Sequence, residues 1–229
     1  MSDYPVTLVN LERGAIVIGG GEVAARKVAG LLAAGAGVTV ISPQLCPTLA
    51  ELVAQGRIVA LPRAYQPGDL ADARLVISAT DDPQSNQSVW QEAQERGILV
   101  NVADAPSLCT FYAPAVVRQG PVTVAIGTGG ASPALARQLR RSLQEQFGPE
   151  YGPYLDLLKR VRTRLLTERR AHPDNARLFH RLVDSPLKDA VAQGDRARVV
   201  RLLHEILGAA LSSPVLGELA AQAFKEPEG

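Results

Sequence analysis

Through its first hundred residues the chain alternates short apolar runs with stretches of helical spacing. Residues 15–18 are apolar and lead into a glycine cluster, 23–34 carry apolar positions at helical intervals among good helix formers, and 38–42 are β-branched and end at Pro43. The same rhythm predicts a helix over 47–55, strands over 57–61 and 75–79, a helix over 83–96 closed by Gly97, and a fifth strand over 98–102. Strands separated by helices at this interval predict a parallel sheet with right-handed crossovers. Beyond residue 110 the pattern changes. Residues 111–118 and 122–127 predict two strands joined by the turn Gln119-Gly120-Pro121. Ser132 and Pro133 are an N-cap and a first helical residue for a helix running to about Phe147. Residues 153–223 have helical spacing, interrupted at His172-Pro173, Ser185-Pro186, Gly194-Asp195 and Ser212-Ser213-Pro214.

The fold class expected is α/β. A Rossmann-type doubly wound parallel sheet occupies residues 1–113, a short strand–strand–helix segment 114–148, and a helical C-terminal domain 149–229.

Composition narrows the function classes. With 46% hydrophobic and 21% charged residues in 229, the chain reads as an ordinary soluble globular protein. A formal net charge of +1 does not suggest a nucleic-acid binder. The charges are uneven, with seven basic and eleven acidic side chains in residues 1–115 against seventeen and twelve in 116–229. A basic second half suits an anionic ligand or a solvated helical surface. Cys46 and Cys109 form no CxxC or Cys/His cluster, as expected of reduced thiols. The first residues lack a signal-peptide pattern and no apolar run spans a bilayer, so the expected location is the cytoplasm, without a membrane partner.

The sharpest motif is Gly19-Gly20-Gly21-Glu22-Val23-Ala24, which fits G-x-G-x-x-A between a predicted strand and a predicted helix. Gly19 permits a tight turn, Gly21 a close backbone approach to a pyrophosphate, and Ala24 close packing of helix on strand. Free amides and the helix dipole then favour phosphate. The alternative is a tight turn without a ligand. At the end of the second strand, where an acidic ribose reader is usual, stand Ser42 and Pro43, which leaves NAD against NADP open. Thr80 and Asp81 end the fourth predicted strand and are candidate cofactor contacts, whereas Asp82 before Pro83 is a helix cap. Asn101 and Asp104 end the fifth. A partly desolvated carboxylate at residue 104 would accept a proton; a turn or cap aspartate before a proline is the competing reading.

The strings GGGEVAARKV (19–28), ATDD (79–82) with Asn86-Gln87, NVADAP (101–106) and GTGGASPALAR (127–137) together resemble the precorrin-2 dehydrogenase family, which includes the N-terminal module of siroheme synthase. The match covers about residues 5–145; residues 150–229 share only their helical character. The resemblance implies NAD-dependent oxidation of precorrin-2 to sirohydrochlorin on the path to siroheme, with ferrous insertion in some members. It also implies a homodimer in which residues 114–148 serve dimerisation. The family's important aspartate falls on Asp104. Its hydroxyl residue before paired glycines falls on Thr128, where some relatives carry a serine that one branch phosphorylates.

Such a substrate loses a hydride to a nicotinamide and a proton to a base, for which Asp104 is the candidate; the alternative is electrostatic stabilisation of the macrocycle. Its carboxylate arms call for cations and amides. Thr128, Gly129, Gly130 and Ser132 supply backbone donors, and Arg137, Arg140 and Arg141 share a helix face. A solvated face with Glu145 paired to Arg141 is the competing reading. His172, His180 and His204 form no two-histidine metal motif, so no metal site is expected. Trp90 and Tyr151 read as packing residues. Two rivals remain: an enzyme that also chelates iron, and a non-catalytic NAD-binding redox sensor.

Overall fold

The computed structural model describes residues 3–170 and 172–224, and the chain divides into two compact units, Met1–Ala113 and Pro114–Gly229. In the first unit, strands β1 (Ala15–Ile18), β2 (Val38–Ile41), β3 (Val59–Leu61), β4 (Leu75–Ser78) and β5 (Leu99–Val102) alternate with helices α1 (Glu22–Leu32), α2 (Pro47–Ala54) and α3 (Pro83–Arg96). The strands pair in parallel in the order β3-β2-β1-β4-β5. Helices cover both faces, so the strands read as unbroken apolar runs: every residue of β1 and of β4 is buried. One face of the core holds Val17, Val28, Val40 and Leu49, the other Ile18, Ile41, Leu70, Val89 and Val100. The parallel, doubly wound sheet expected from the sequence is the one observed.

Register fixes the functional edge. Ile18 pairs with Ile41 and Ser78, Ile41 with Leu61, and Ser78 with Val102. The next residues, Gly19, Ser42, Ala79 and Ala103, therefore stand on one rung at the carboxyl edge. The chain runs outward from β1 through β2 to β3, then returns to β4 on the other side of β1. That reversal creates the crevice where open α/β sheets bind ligands.

In the second unit, β6 (Ala115–Gln119) and β7 (Val122–Ile126) form an antiparallel hairpin, followed by α4 (Pro133–Gln146). Helices α5 (Tyr151–Glu168), α6 (Asn175–Asp184), α7 (Leu187–Ala192), α8 (Arg196–Leu207) and α9 (Ser213–Gln222) enclose a core containing Leu157, Val161, Leu165, Leu182, Leu203 and Leu216. Each predicted interruption separates two of these helices.

Two strands begin two or more residues later than the spacing predicts, and the other strand boundaries agree to within one residue. The strand predicted over 111–118 begins at Ala115, because Phe111 packs into the first unit's core, where its carbonyl accepts a hydrogen bond from Asn101. The strand predicted over 57–61 begins at Val59, because the Arg57 amide donates to Leu52 O in the turn that closes α2.

Candidate functional site: a glycine turn at the sheet switch point

The three glycines after β1 do different jobs. Gly19 has φ +110°, and a Cβ there would lie 2.3 Å from Ala79 O, so the turn after β4 rests directly on its backbone. Its amide donates to Ile41 O at 2.9 Å. Gly20 is clamped by the segment after β2: a Cβ would lie 1.9 Å from Gln44 O, and the Cys46 amide donates to Gly20 O at 2.7 Å. Gly21, the N-cap of α1, has nothing within 4 Å of its Cβ position, and no side chain caps the helix. The leading amides of a helix have no partner within it. Here those of Glu22, Val23 and Ala24 follow an open Gly21, while Ala24 itself, fully buried, lets α1 lie close to the sheet. A pyrophosphate fits this arrangement: room above Gly21, free donors, and the positive end of the helix dipole.

Around the turn, the loops leaving β2, β4 and β5 are each tied down. Ser42 is buried and its hydroxyl donates to Gln44 O at 2.7 Å, with Pro43 exposed at the rim. After β4, Ser78 Oγ donates to Asn86 Oδ1 at 2.6 Å and Asn86 Nδ2 to Thr80 O at 3.1 Å, which holds half-buried Thr80 and exposed Asp81 beside the glycines. Asp82 caps α3 as expected, accepting from the amides of Gln84 and Ser85 at 3.1 Å each; the Ser85 hydroxyl, then those amides, hold its carboxyl below the usual range. After β5, the Ala103 amide donates to Ser78 O at 2.8 Å.

Asp104 follows with φ +57°, one of two non-glycine residues in the left-handed region among those described. Such a conformation costs about 1–3 kcal/mol and persists where surrounding structure imposes it. That structure is the segment folding back along β5. Thr110 exchanges hydrogen bonds with Val100, its Oγ accepting from the Val100 amide at 2.9 Å, and Cys109 Sγ accepts from the Val102 amide at 3.3 Å. Asn101, expected as a cofactor contact, is 6% exposed and its Nδ2 donates to Phe111 O at 3.0 Å, so it anchors this returning segment. Asp104 is exposed within its unit, not enclosed by the apolar cleft that a desolvated base calls for.

In the second unit, Ser132 caps α4 by accepting from the Leu135 amide at 3.1 Å, and Thr128 Oγ accepts from the Ser132 amide at 3.3 Å across Gly129 and Gly130, both at positive φ. Arg137 and Arg141 line a shallow groove with Ala134 and Gln138. Arg140 instead donates to Gln144 at 3.1 Å, so two of the three arginines are grouped. No ion pair joins Arg141 to Glu145. Among the described residues, no three His, Cys, Asp or Glu side chains converge, and no helix is long and apolar enough to cross a membrane.

Comparison with known proteins agrees with this geometry. A family model described as putative NAD(P)-binding matches residues 8–115, and one described as the sirohaem biosynthesis protein central region matches 119–146. A siroheme synthase of Nitrosospira multiformis is 38% identical over 223 residues, 96% of this chain and 47% of that protein. A siroheme synthase of Methylobacillus flagellatus is 48% identical over 152 residues, 66% of this chain and 32% of that protein. A solved structure titled SirC, precorrin-2 dehydrogenase, superposes with a TM-score of 0.73 at 25% identity, covering 90% of this chain and all of that one. Over nearly its whole length the chain is similar to siroheme synthases and to this precorrin-2 dehydrogenase. It spans less than half the length of the siroheme synthases it matches. The two matched regions divide near residue 114, where the structure divides, and the first matches an NAD(P)-binding domain.

Sequence reasoning gave no reason to single out the Gln44–Cys46 clamp or Asn86 as a brace. In the sequence Asn86 stands only among the strings that carry the resemblance, and its bracing role follows from its place in the first turn of α3, facing Ser78 and Thr80. The clamp carried none, since it depends on β2 and β1 being neighbours.

Proposed function

We propose that the chain oxidises precorrin-2 to sirohydrochlorin with NAD as hydride acceptor, as a homodimer. The observation that carries this is the shared rung at the switch point, where an open glycine turn and the strained Asp104 turn flank one crevice. The amides of Gly21, Glu22 and Val23 hold the pyrophosphate, and Thr80 and Asp81 border the nicotinamide half. The nicotinamide supplies the hydride acceptor. Oxidation removes one hydride and one proton from the macrocycle, and Asp104 takes the proton. Enclosure by substrate supplies the desolvation that the exposed carboxylate lacks alone. Thr128, the paired glycines, Arg137 and Arg141 bind the carboxylate arms by charge-assisted hydrogen bonds.

Homodimerisation is supported by the surface of α4, which buries no residue and leaves Leu135 and Leu139, one turn apart, 45% and 39% exposed. The test is anaerobic incubation of the purified chain with precorrin-2 and NAD. Growth of the sirohydrochlorin absorption spectrum supports the reading, and its absence removes it. Asp104→Asn is expected to bind NAD normally and lose roughly 100-fold or more in rate; full activity assigns the proton to another group.

A further inference from the structure

At the end of β2, where dinucleotide sites usually place an acid to read the ribose, this chain has Ser42, and its hydroxyl is already bonded to Gln44 O. A charged pair stands alongside. The amides of Ser42 and Arg63 donate to the same carbonyl, Leu61 O, at 3.2 and 2.8 Å, which sets Arg63 next to Ser42 on the carboxyl edge of β3. The Arg63 guanidinium grips Asp69 through Nη1 and Nη2, both at 2.7 Å, and Nη1 also donates to Ala64 O at 3.0 Å. Asp69 accepts in addition from the Gln66 amide at 2.8 Å and its side chain is 12% exposed against 38% for Arg63.

We propose that the Arg63–Asp69 pair selects the dinucleotide, Asp69 being a positioning residue that engages Arg63 and denies it to a 2′-phosphate. This rests on the reading that the glycine turn binds NAD. An arginine beside the ribose is the usual means of accepting a 2′-phosphate. Here its fork is closed on the Asp69 carboxylate, so the pair is neutral overall and the guanidinium is not free for a second anion. The hydrogen bond from Arg63 holds the Asp69 carboxyl below its ordinary range, so the pair stays ionised at neutral pH. Selection then depends on two residues outside β2, which explains how Ser42 stands where an acid is usual.

The experiment is calorimetric titration of the full chain with NAD and with NADP, comparing wild type, Asp69→Asn, and the double variant Arg63→Ala/Asp69→Ala. Wild type is expected to prefer NAD. Asp69→Asn frees the guanidinium, so NADP tightens at least ~10-fold while NAD stays within about 3-fold. The double variant, with neither charge, gives an NADP-to-NAD affinity ratio between the other two, and it carries the test if Asp69→Asn fails to fold. An unchanged ratio in the double variant, or in folded Asp69→Asn, overturns the proposal. Loss of all dinucleotide binding by wild type overturns the glycine-turn reading instead.

Discussion

Two sheet regions of this chain solve burial in opposite ways. In β1 and β4 every side chain is buried, and α1 covers them with Ala24, Ala25 and Val28. In the β6–β7 hairpin only Val117 is buried, and α4, packed against it, buries no residue at all. The first region makes its own core; the second leaves its hairpin mostly half-buried and Leu135 and Leu139 of α4 exposed. The contrast separates what the nucleotide half needs to fold, which is itself, from what the central segment needs, which on our reading is a second copy.

The largest expected effect tests that contrast with one substitution in each region. Val17→Asp puts a charge at a fully buried position and should destabilise the first unit by at least ~4 kcal/mol, read as loss of the urea transition. Leu139→Asp on α4 should leave the secondary structure intact and weaken self-association by roughly 100-fold, read by sedimentation. Equal damage from both would erase the comparison.

Within the glycine turn, Gly20→Ala pushes a Cβ into Gln44 O and should cost about 1–3 kcal/mol of stability. Gly21→Val enters open space, so melting should change little while NAD affinity falls by roughly 100-fold. Reversal of the two outcomes would mean that Gly21, not Gly20, is the packed glycine.

The smallest effect concerns acid. Burial pushes the Glu92 carboxyl up, but hydrogen bonds from Tyr65, Gly68, Arg96 and Leu70 outweigh it and leave the carboxyl below its ordinary range. A folded-state value below the unfolded one gives stability that is present above the unfolded pKa, about 4.3, and is lost as pH falls below it. The urea midpoint of the first unit should drop between pH 6 and pH 3, and Glu92→Gln should shrink that drop.

The parts legible in the sequence are those fixed by local chemistry. Asp82-Pro83 and Gly97 bracket α3 because a cap, a first-turn proline and a left-handed C-cap act within a few residues. Gly19–Ala24 read as a turn before a helix for the same reason. What the sequence hid depends on neighbours distant along the chain. Asn101 looked like a cofactor contact from its place at a strand end, yet Phe111, ten residues on, takes its amide. Arg63 and Ser42 look unrelated until β2 and β3 pair and both amides meet at Leu61 O. The exposure of Asp104 was likewise unreadable, because it depends on what encloses the turn.

The most direct measurement is a crystal structure of the chain with NAD bound. The account predicts the pyrophosphate on the amides following Gly20, with the nicotinamide ring beside the Asp104 carboxylate. A dinucleotide seated elsewhere, or a ring on the far side of the sheet edge from Asp104, would contradict it.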